Sequence, residues 1–510
     1  MNFYVIEVLM RGQNGICNRS DCESLRAKFN WDATSYSAGD RGQPARNWGH
    51  TVSVTYSSLC QFLFPLLFAL AFLTTVGCDG DEVDRPTDQA SAYSLIDSVN
   101  LRVSGQSGDT IVAGDFYSDT TIVWSGSRDS ANGANAGDFF LRLPVNIEVS
   151  GSNNLTLNIE DIFGDNTFTW QRLELLEDQN RRVGGAFEVD MPVLIRVSDS
   201  RQVNINLEDI FGDNSFTWMV GTPSEPDPVA GTADIMGGVG GPLRINLSVR
   251  IEVVNNSSDI QIDIEDLISD SQFTWAGGEQ GDAAFVGGSM DFEVPLTFLV
   301  EDSDRVRIDL EDTAGDMTFD WTTGSSQSIG GSIRFDVPTR FDVINSSDVN
   351  IDFEDQGSDN IFTWTVEERN GNAPNISSSV NVHSPAIFHV SDSRKVVINS
   401  EDFFGDNRFV WSGPFDTDAK SGLTGAVSAS ASTEFQVENS GNVNIDAEDV
   451  YGDNVFAWNP RSADQTTELP ESVHEVVGEV TRNLVESEQV TIEFANLNRG
   501  NQYLWGPAPE

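Results

Sequence analysis

Nine tryptophans close successive copies of one pattern, at positions 124, 170, 218, 275, 321, 364, 411, 458 and 505. Only Trp31 and Trp48 stand outside the series. The clearest copy reads Gln202-Val-Asn-Ile-Asn-Leu-Glu-Asp-Ile-Phe-Gly-Asp-Asn-Ser-Phe-Thr-Trp218. Val203, Ile205 and Leu207 alternate with Asn204, Asn206 and Glu208, the period of two that marks a strand buried on one face. Gly212, Asp213 and Asn214 then supply turn chemistry: glycine tolerates positive φ, and Asp and Asn bond back to local backbone. Phe216 and Trp218 resume the alternation. The pattern predicts a hairpin whose Trp points into the core.

A third strand precedes each hairpin. Phe187 to Val197 alternates for eleven residues, with Pro192 in its middle. Pro144, Pro295, Pro338 and Pro385 hold the same place, each 26 residues before its Trp. Proline cannot donate to a ladder, so it marks a bend, bulge or edge. Between this position and the Trp no copy needs an insertion. The length variation falls between one Trp and the next Pro-equivalent position, as expected of a rigid core joined by surface loops. The first and last copies are degenerate: Gly114 replaces the usual Glu, and Ala495-Asn496 replaces Glu-Asp. Atypical ends suit a tandem array that caps itself.

These signals predict an all-β fold of nine tandem three-stranded repeats of about 47 residues, spanning 96–510. Two arrangements compete. The repeats close radially into a barrel with petal-like hairpins, or they stack as a linear β-solenoid. Stacking in register would bring Asp263, Asp309 and Asp352 to strand spacing, roughly 5 Å. Like charges that close are unfavourable unless a cation intervenes. Radial closure spreads them and removes exposed edges, so it is the expected arrangement.

The 510 residues carry a formal charge of −51 and a pI near 4.1. With 31 Phe and 11 Trp the chain has ample material for a core, so its acidity does not imply disorder. Lys occurs only at 28, 395 and 420. Such a surface repels nucleic acid and anionic lipid and suits divalent cations, basic or envelope partners, or a salty medium. All four cysteines (Cys17, Cys22, Cys60 and Cys78) precede the repeats, which therefore use neither disulfides nor thiolate metals.

Residues 1–61 have no clear periodicity and read as a leader that is cleaved or never translated. Phe62 to Leu73 is too short to span a bilayer comfortably and fits a signal-peptide h-region. Thr74-Thr-Val-Gly-Cys78 follows, then the acidic stretch from Asp79. This segment, 62–78, resembles the lipobox of bacterial lipoproteins, although Thr75 stands where Leu is usual and no positive n-region adjoins it. The resemblance implies lipidation at Cys78, anchorage in the cell envelope, and a periplasmic or surface-exposed body. Residues 79–95 read as a flexible acidic tether. Residues 1–77 hold six of the 29 Lys/Arg and five of the 80 Asp/Glu, so the chain from Cys78 carries −52. A lipobox followed by hairpin repeats is similar in layout to the β-flower group of bacterial proteins, whose petals surround a shallow barrel. That likeness implies a fold and adds no activity.

The recurring polar signal is Glu-Asp before the turn and Asp within it. Its copies are Glu160, Asp161 and Asp165; Glu208, Asp209 and Asp213; Glu265, Asp266 and Asp270; Glu311, Asp312 and Asp316; Glu354, Asp355 and Asp359; Glu401, Asp402 and Asp406; and Glu448, Asp449 and Asp453. Paired carboxylates can perform acid–base chemistry on a polysaccharide. An enzyme needs one asymmetric site, however, and these pairs are nearly identical; no nucleophile–base set or phosphate loop accompanies them. Turn capping by Asp explains much of the pattern. Several hard oxygens in a small volume also suit Ca²⁺, the one cofactor the sequence suggests. The expectation is a non-enzymatic lipoprotein with a structural, adhesive or ligand-binding body. The alternative is a surface enzyme acting on polysaccharide.

Overall fold

The alternation around Val203 forms a strand, Arg201–Phe211, whose neighbours are the same residues of the repeats before and after it. Val203 sits between Leu155 and Ile260, and Ile205 between Leu157 and Ile262. The computed structural model describes residues 93–505 except 115, 117–120, 127–133, 136–137, 173–181, 221–236, 269, 278–282, 315, 324–327, 355–356, 358, 367–374, 402, 414–422, 448–452, 461–473 and 495–499. The leader, h-region, Cys78 and residues 79–92 of the tether lie outside the described residues, as do Asp355, Asp402, Glu448 and Asp449. The last tether residues, Tyr93 to Leu95, instead belong to a strand, Tyr93–Ile96, that pairs with Phe139–Arg142.

The described residues form an all-β structure of three large sheets, one of 21 strands and two of nine. Strands of successive repeats pair in parallel in all three, as in Val193–Ser198 beside Val249–Val254, Ile205 beside Ile262 and Trp218 beside Trp275. Each sheet runs from the first repeat to the last, and none closes on itself. The pairing is therefore that of open, stacked parallel sheets, and it does not show the radial closure expected above. At a strand spacing of about 4.8 Å, nine paired strands extend for roughly 40 Å.

The expected hairpin is also replaced. Arg201–Phe211 belongs to one nine-stranded sheet and Ser215–Val220 to the other. We call them the carboxylate sheet and the tryptophan sheet. Gly212, Asp213 and Asn214 turn a corner between them. The Gly212 N–H donates to Phe163 O, one coil back, at 2.8 Å. A corner and a hairpin demand the same turn residues, and the difference lies in which strand the next residues pair with.

Stacking like on like explains why parallel pairing wins. Trp170, Trp218, Trp275, Trp321, Trp364, Trp411 and Trp458 form one column, ring centroids 4.6–5.1 Å apart and planes within 9°. All seven are buried. Trp124 and Trp505 continue the register at its ends. A second column beside it contains Phe168, Phe216, Phe273, Phe319, Phe362, Phe409 and Phe456. Each aromatic contact contributes about 0.5–1.5 kcal/mol beyond the area it buries. Identical coils in register make every such contact at once.

Proline divides the long strand. Phe187–Asp190 and Val193–Ser198 are separate strands of the 21-stranded sheet, broken at Met191-Pro192. Pro192 lacks an N–H but its carbonyl accepts from Val145 N at 2.8 Å, which restarts the ladder. One copy departs from the insertion-free expectation. Ser248 occupies the proline position, since Val249 N donates to Pro295 O and Val193 N to Ser248 O. It stands 27 residues before Trp275, one more than in the other copies. The extra residue lies in the next turn, where Asn255 and Asn256 both have positive φ, 60° and 58°, against the single Asp199 at 50° one coil earlier. A corner facing water absorbs what a ladder cannot.

Two buried polar columns pin the corners. Ser152, Ser200, Ser303, Ser346, Ser393 and Ser440 each donate a backbone N–H to the side-chain oxygen at the same position one coil on, as in Ser393 N to Ser440 Oγ at 3.1 Å. At the corner before the tryptophan sheet, Asn166, Asn360, Asn407 and Asn454 do likewise, with Asn407 N to Asn454 Oδ1 at 3.1 Å. These bonds satisfy backbone donors where the ladders stop.

Candidate functional site

The two outer faces built from polar residues differ in how charge is stacked. On the 21-stranded sheet, two columns alternate in sign from coil to coil, although Glu293 stacks on Asp336. Arg102, Glu148, Arg196 and Glu252 are successive partners in one column. Arg102 reaches Glu148 at 3.1 Å, and Arg196 reaches Glu252 at 3.4 Å. A second column runs Glu188, Arg244, Asp291 and Arg334. Arg244 and Arg334 lie 3.6 and 3.5 Å from Asp291.

The carboxylate sheet stacks like on like. Asn158, Asn206, Asp263, Asp309, Asp352, Asn399 and Asp446 are in register. The close approach of Asp263, Asp309 and Asp352, which argued for radial closure, is thus present. Three features lower its cost. The side chains face solvent, Arg307 donates to Asp309 at 2.5 Å, and Asn399 Nδ2 donates to Asp352 at 3.0 Å. Asn206 Nδ2 donates to Asn158 Oδ1 at 2.8 Å in the same column.

The recurrent Glu-Asp pair occupies a defect in the alternation. Ile205 and Leu207 point inward and Glu208 outward, yet Ile210 and Phe211 are both buried. The period slips by one at Asp209, leaving its carboxyl half-buried. Asp161, Asp209, Asp266 and Asp312 share one column. Burial first, then the charges of Asp266, Asp161, Asp213 and Glu208, push the Asp209 pKa up from 3.8 to about 8. Glu160, Glu208, Glu265, Glu311, Glu354 and Glu401 project from equivalent positions. Burial and the charge of Glu265 raise the Glu311 pKa; burial and Asp352 raise that of Glu354.

The turn residues form a third acidic column. Asp270, Asp316, Asp359, Asp406 and Asp453 all have φ between 51° and 56°, whereas Asp165 and Asp213 do not appear in the left-handed region. Asp213 N donates to Asp165 Oδ1 at 3.0 Å. Partial burial, with the neighbouring turn carboxylates, raises the pKa of Asp213, Asp316 and Asp359. The left-handed geometry is the local role of these residues, because Asp adopts it at lower cost than most side chains.

A shallow groove of about 500 Å³ crosses the carboxylate sheet near its first coils, floored by Asn158, Asn206 and Asp263 and walled by Glu160, Glu208 and Glu265. Its acids are Glu at one position repeated along the coils, with Asp263 from the neighbouring column, and not a convergent set. Among the described residues no three His, Cys, Asp or Glu side chains are grouped to hold a metal ion. Among the described residues the expected Ca²⁺ ligands are distributed as columns. Sequence reasoning missed the alternating columns of the 21-stranded sheet, because Arg196 and Glu252 come together only through parallel pairing. No single copy carries a signal for them, since Arg196 and Glu252 lie 56 positions apart. No family model, curated protein or solved structure matches the chain.

Proposed function

We propose that the chain is a non-enzymatic, envelope-anchored lipoprotein whose solenoid binds cationic partners along its carboxylate sheet. The observation that carries this reading is the contrast between the two outer faces. Where function is purely structural, stacked charges can alternate in sign, as in the Arg102–Glu148–Arg196–Glu252 column. On the carboxylate sheet Glu208, Glu265 and Glu311 repeat one sign without alternation. A continuous array of that kind concentrates counter-ions and offers periodic contacts to a basic polymer or to divalent cations bridging adjacent coils. Uptake by charge density, without a cage, would show little selectivity between Ca²⁺ and Mg²⁺.

The polysaccharide-hydrolase alternative draws on the raised pKa of Asp209 beside the groove. It is the weaker reading, since hydrolysis needs two carboxyls of different character at one scissile bond and the coils repeat the same pair. Binding of poly-lysine, compared with a neutral polysaccharide, tests the proposal. Poly-lysine should bind in a salt-sensitive manner, and replacing Glu208, Glu265 and Glu311 together by Gln should weaken it several-fold. Equal affinity of the triple variant would overturn the assignment of this face. The anchor is tested separately: Cys78→Ala should abolish lipid mass on the mature protein and release it from the membrane fraction.

A further inference from the structure

The two ends of the solenoid are not equivalent. At the first coil Val99, Leu101 and Val103 occupy inward columns and are at most 5% exposed. At the last coil, His474–Val485 pairs with Leu423–Glu438 on one side, and among the described residues no strand pairs with its other edge. Gly478, Val480, Arg482 and Leu484 lie directly beyond the inward-pointing Ala431, Thr433, Phe435 and Val437. They continue core columns, yet Val480 is 37% and Leu484 53% exposed. Val477, Val485 and Leu504 add exposed apolar surface on the same coil. Among the described residues, five of the ten exposed large hydrophobic side chains lie at this end, against three, Ile96, Val112 and Val123, on the first coil. A flat, apolar, unpaired strand edge is a template for another strand.

We infer that this end docks a second copy of the same chain, the two terminal strands pairing antiparallel about a two-fold axis at Val480. In an antiparallel pair, opposing residues share a face. Centring on Val480 sets Val480 against itself and the Arg482 side chain against Gly478, which leaves room for it. Outside, Glu479 meets Thr481 and Val477 meets Asn483. Centring instead on Glu479 or Arg482 would set like charges face to face, which is unfavourable. The strand is thus self-complementary where a two-fold requires it. Head-to-tail growth is disfavoured because Val99, Leu101 and Val103 of the first coil are already covered. The edges His474–Val485, Glu488–Phe494 and Gln502–Trp505 are those of a single coil. Capping one coil buries on the order of 1,000 Å² in total, the lower limit of a specific interface, so the dimer is reversible. Each copy carries −51, so added salt strengthens the association by screening.

Sedimentation of the full chain over a concentration series tests this. The expected result is a monomer–dimer equilibrium with doubled mass at high concentration and a dimer fraction that rises with NaCl. Val480→Lys combined with Leu484→Lys should remain monomeric while keeping the wild-type circular dichroism. Should that variant misfold, Val480→Cys in a chain whose four native cysteines are replaced by Ser provides the second measurement. Oxidation should link it into dimers, whereas Val397→Cys on a side face should not link. A wild-type monomer at every concentration, open-ended polymers, a dimer that survives the double Lys substitution, or equal linkage at Val397→Cys would each overturn the inference.

Discussion

The indole of Trp218 lies 4.8 Å from that of Trp275, with the ring planes 2° apart, and 4.6 Å from Trp170 on its other side. Trp218 is fully buried, and its Nε1–H donates to Gly185 O at 3.3 Å. Trp218→Ala should therefore open a cavity between two coils and cost about 3–5 kcal/mol. Because coils contact mainly their neighbours, the loss should appear as an early, partial transition and not as a uniform shift. Denaturant melts followed by tryptophan fluorescence read this out.

Asp209 sets a pH dependence of definite sign. Its folded-state pKa, about 8, lies above the ordinary 3.8 because burial and four neighbouring carboxylates disfavour the charge. A raised acid contributes stability that is complete below pH 4 and is lost as pH climbs through 8. The melting temperature should thus fall between mildly acidic and mildly alkaline pH. Asp209→Asn should flatten this slope and stabilise the protein above pH 8, on the order of 1 kcal/mol after allowing for screening by solvent. An unchanged slope would show that the Asp209 carboxyl is fully hydrated.

Asn407 holds a buried corner. Its Nδ2 donates to Gly357 O, Gly405 O and Asn454 Oδ1 at 2.9, 2.8 and 3.1 Å, and its Oδ1 accepts from Asn360 N at 3.1 Å. Asn407→Ala strands several buried groups at once and should cost about 2–3 kcal/mol. An exposed control such as Gln202→Ala should change stability by less than about 0.5 kcal/mol. Thermal melting of the two variants side by side makes the comparison.

Cations should stabilise the body through its columns of carboxylates. In-register Asp263, Asp309 and Asp352 repel one another, and a divalent ion relieves this more than monovalent salt of equal ionic strength. Ca²⁺ and Mg²⁺ should raise the melting temperature about equally, and EDTA should reverse the gain. A saturable gain confined to Ca²⁺ would instead point to a closed cage.

The strands were legible in the sequence, and their partners were not. Val203, Ile205 and Leu207 announce a strand by their period, and Phe216 and Trp218 announce its successor. Gly212-Asp213-Asn214 says only that the chain turns. Whether Trp218 returns beside Ile205 or stacks on Trp275 depends on residues 57 positions away, and alternation is identical in both cases. Solvent and the single Arg307 together make the close stacking of Asp263 on Asp309 tolerable, which alternation alone does not reveal. Asp209 was singled out for its chemistry, but its raised pKa comes from a slip in the alternation that only burial reveals. The paired alternating columns on the opposite face were unreadable, because Arg196 meets Glu252 through register alone.

The corner columns carry one more implication. Ser393 and Asn407 bond to the same residue types one coil away, so each coil presents the next with the surface it received. Whole coils are then interchangeable units. Excising one by deleting a Trp-to-Trp segment such as 365–411 would rejoin matching surfaces and shorten the rod by about 4.8 Å, leaving its three faces aligned. Reach away from an anchor becomes a quantity that changes in equal steps, set by how many times a single genetic unit has been copied.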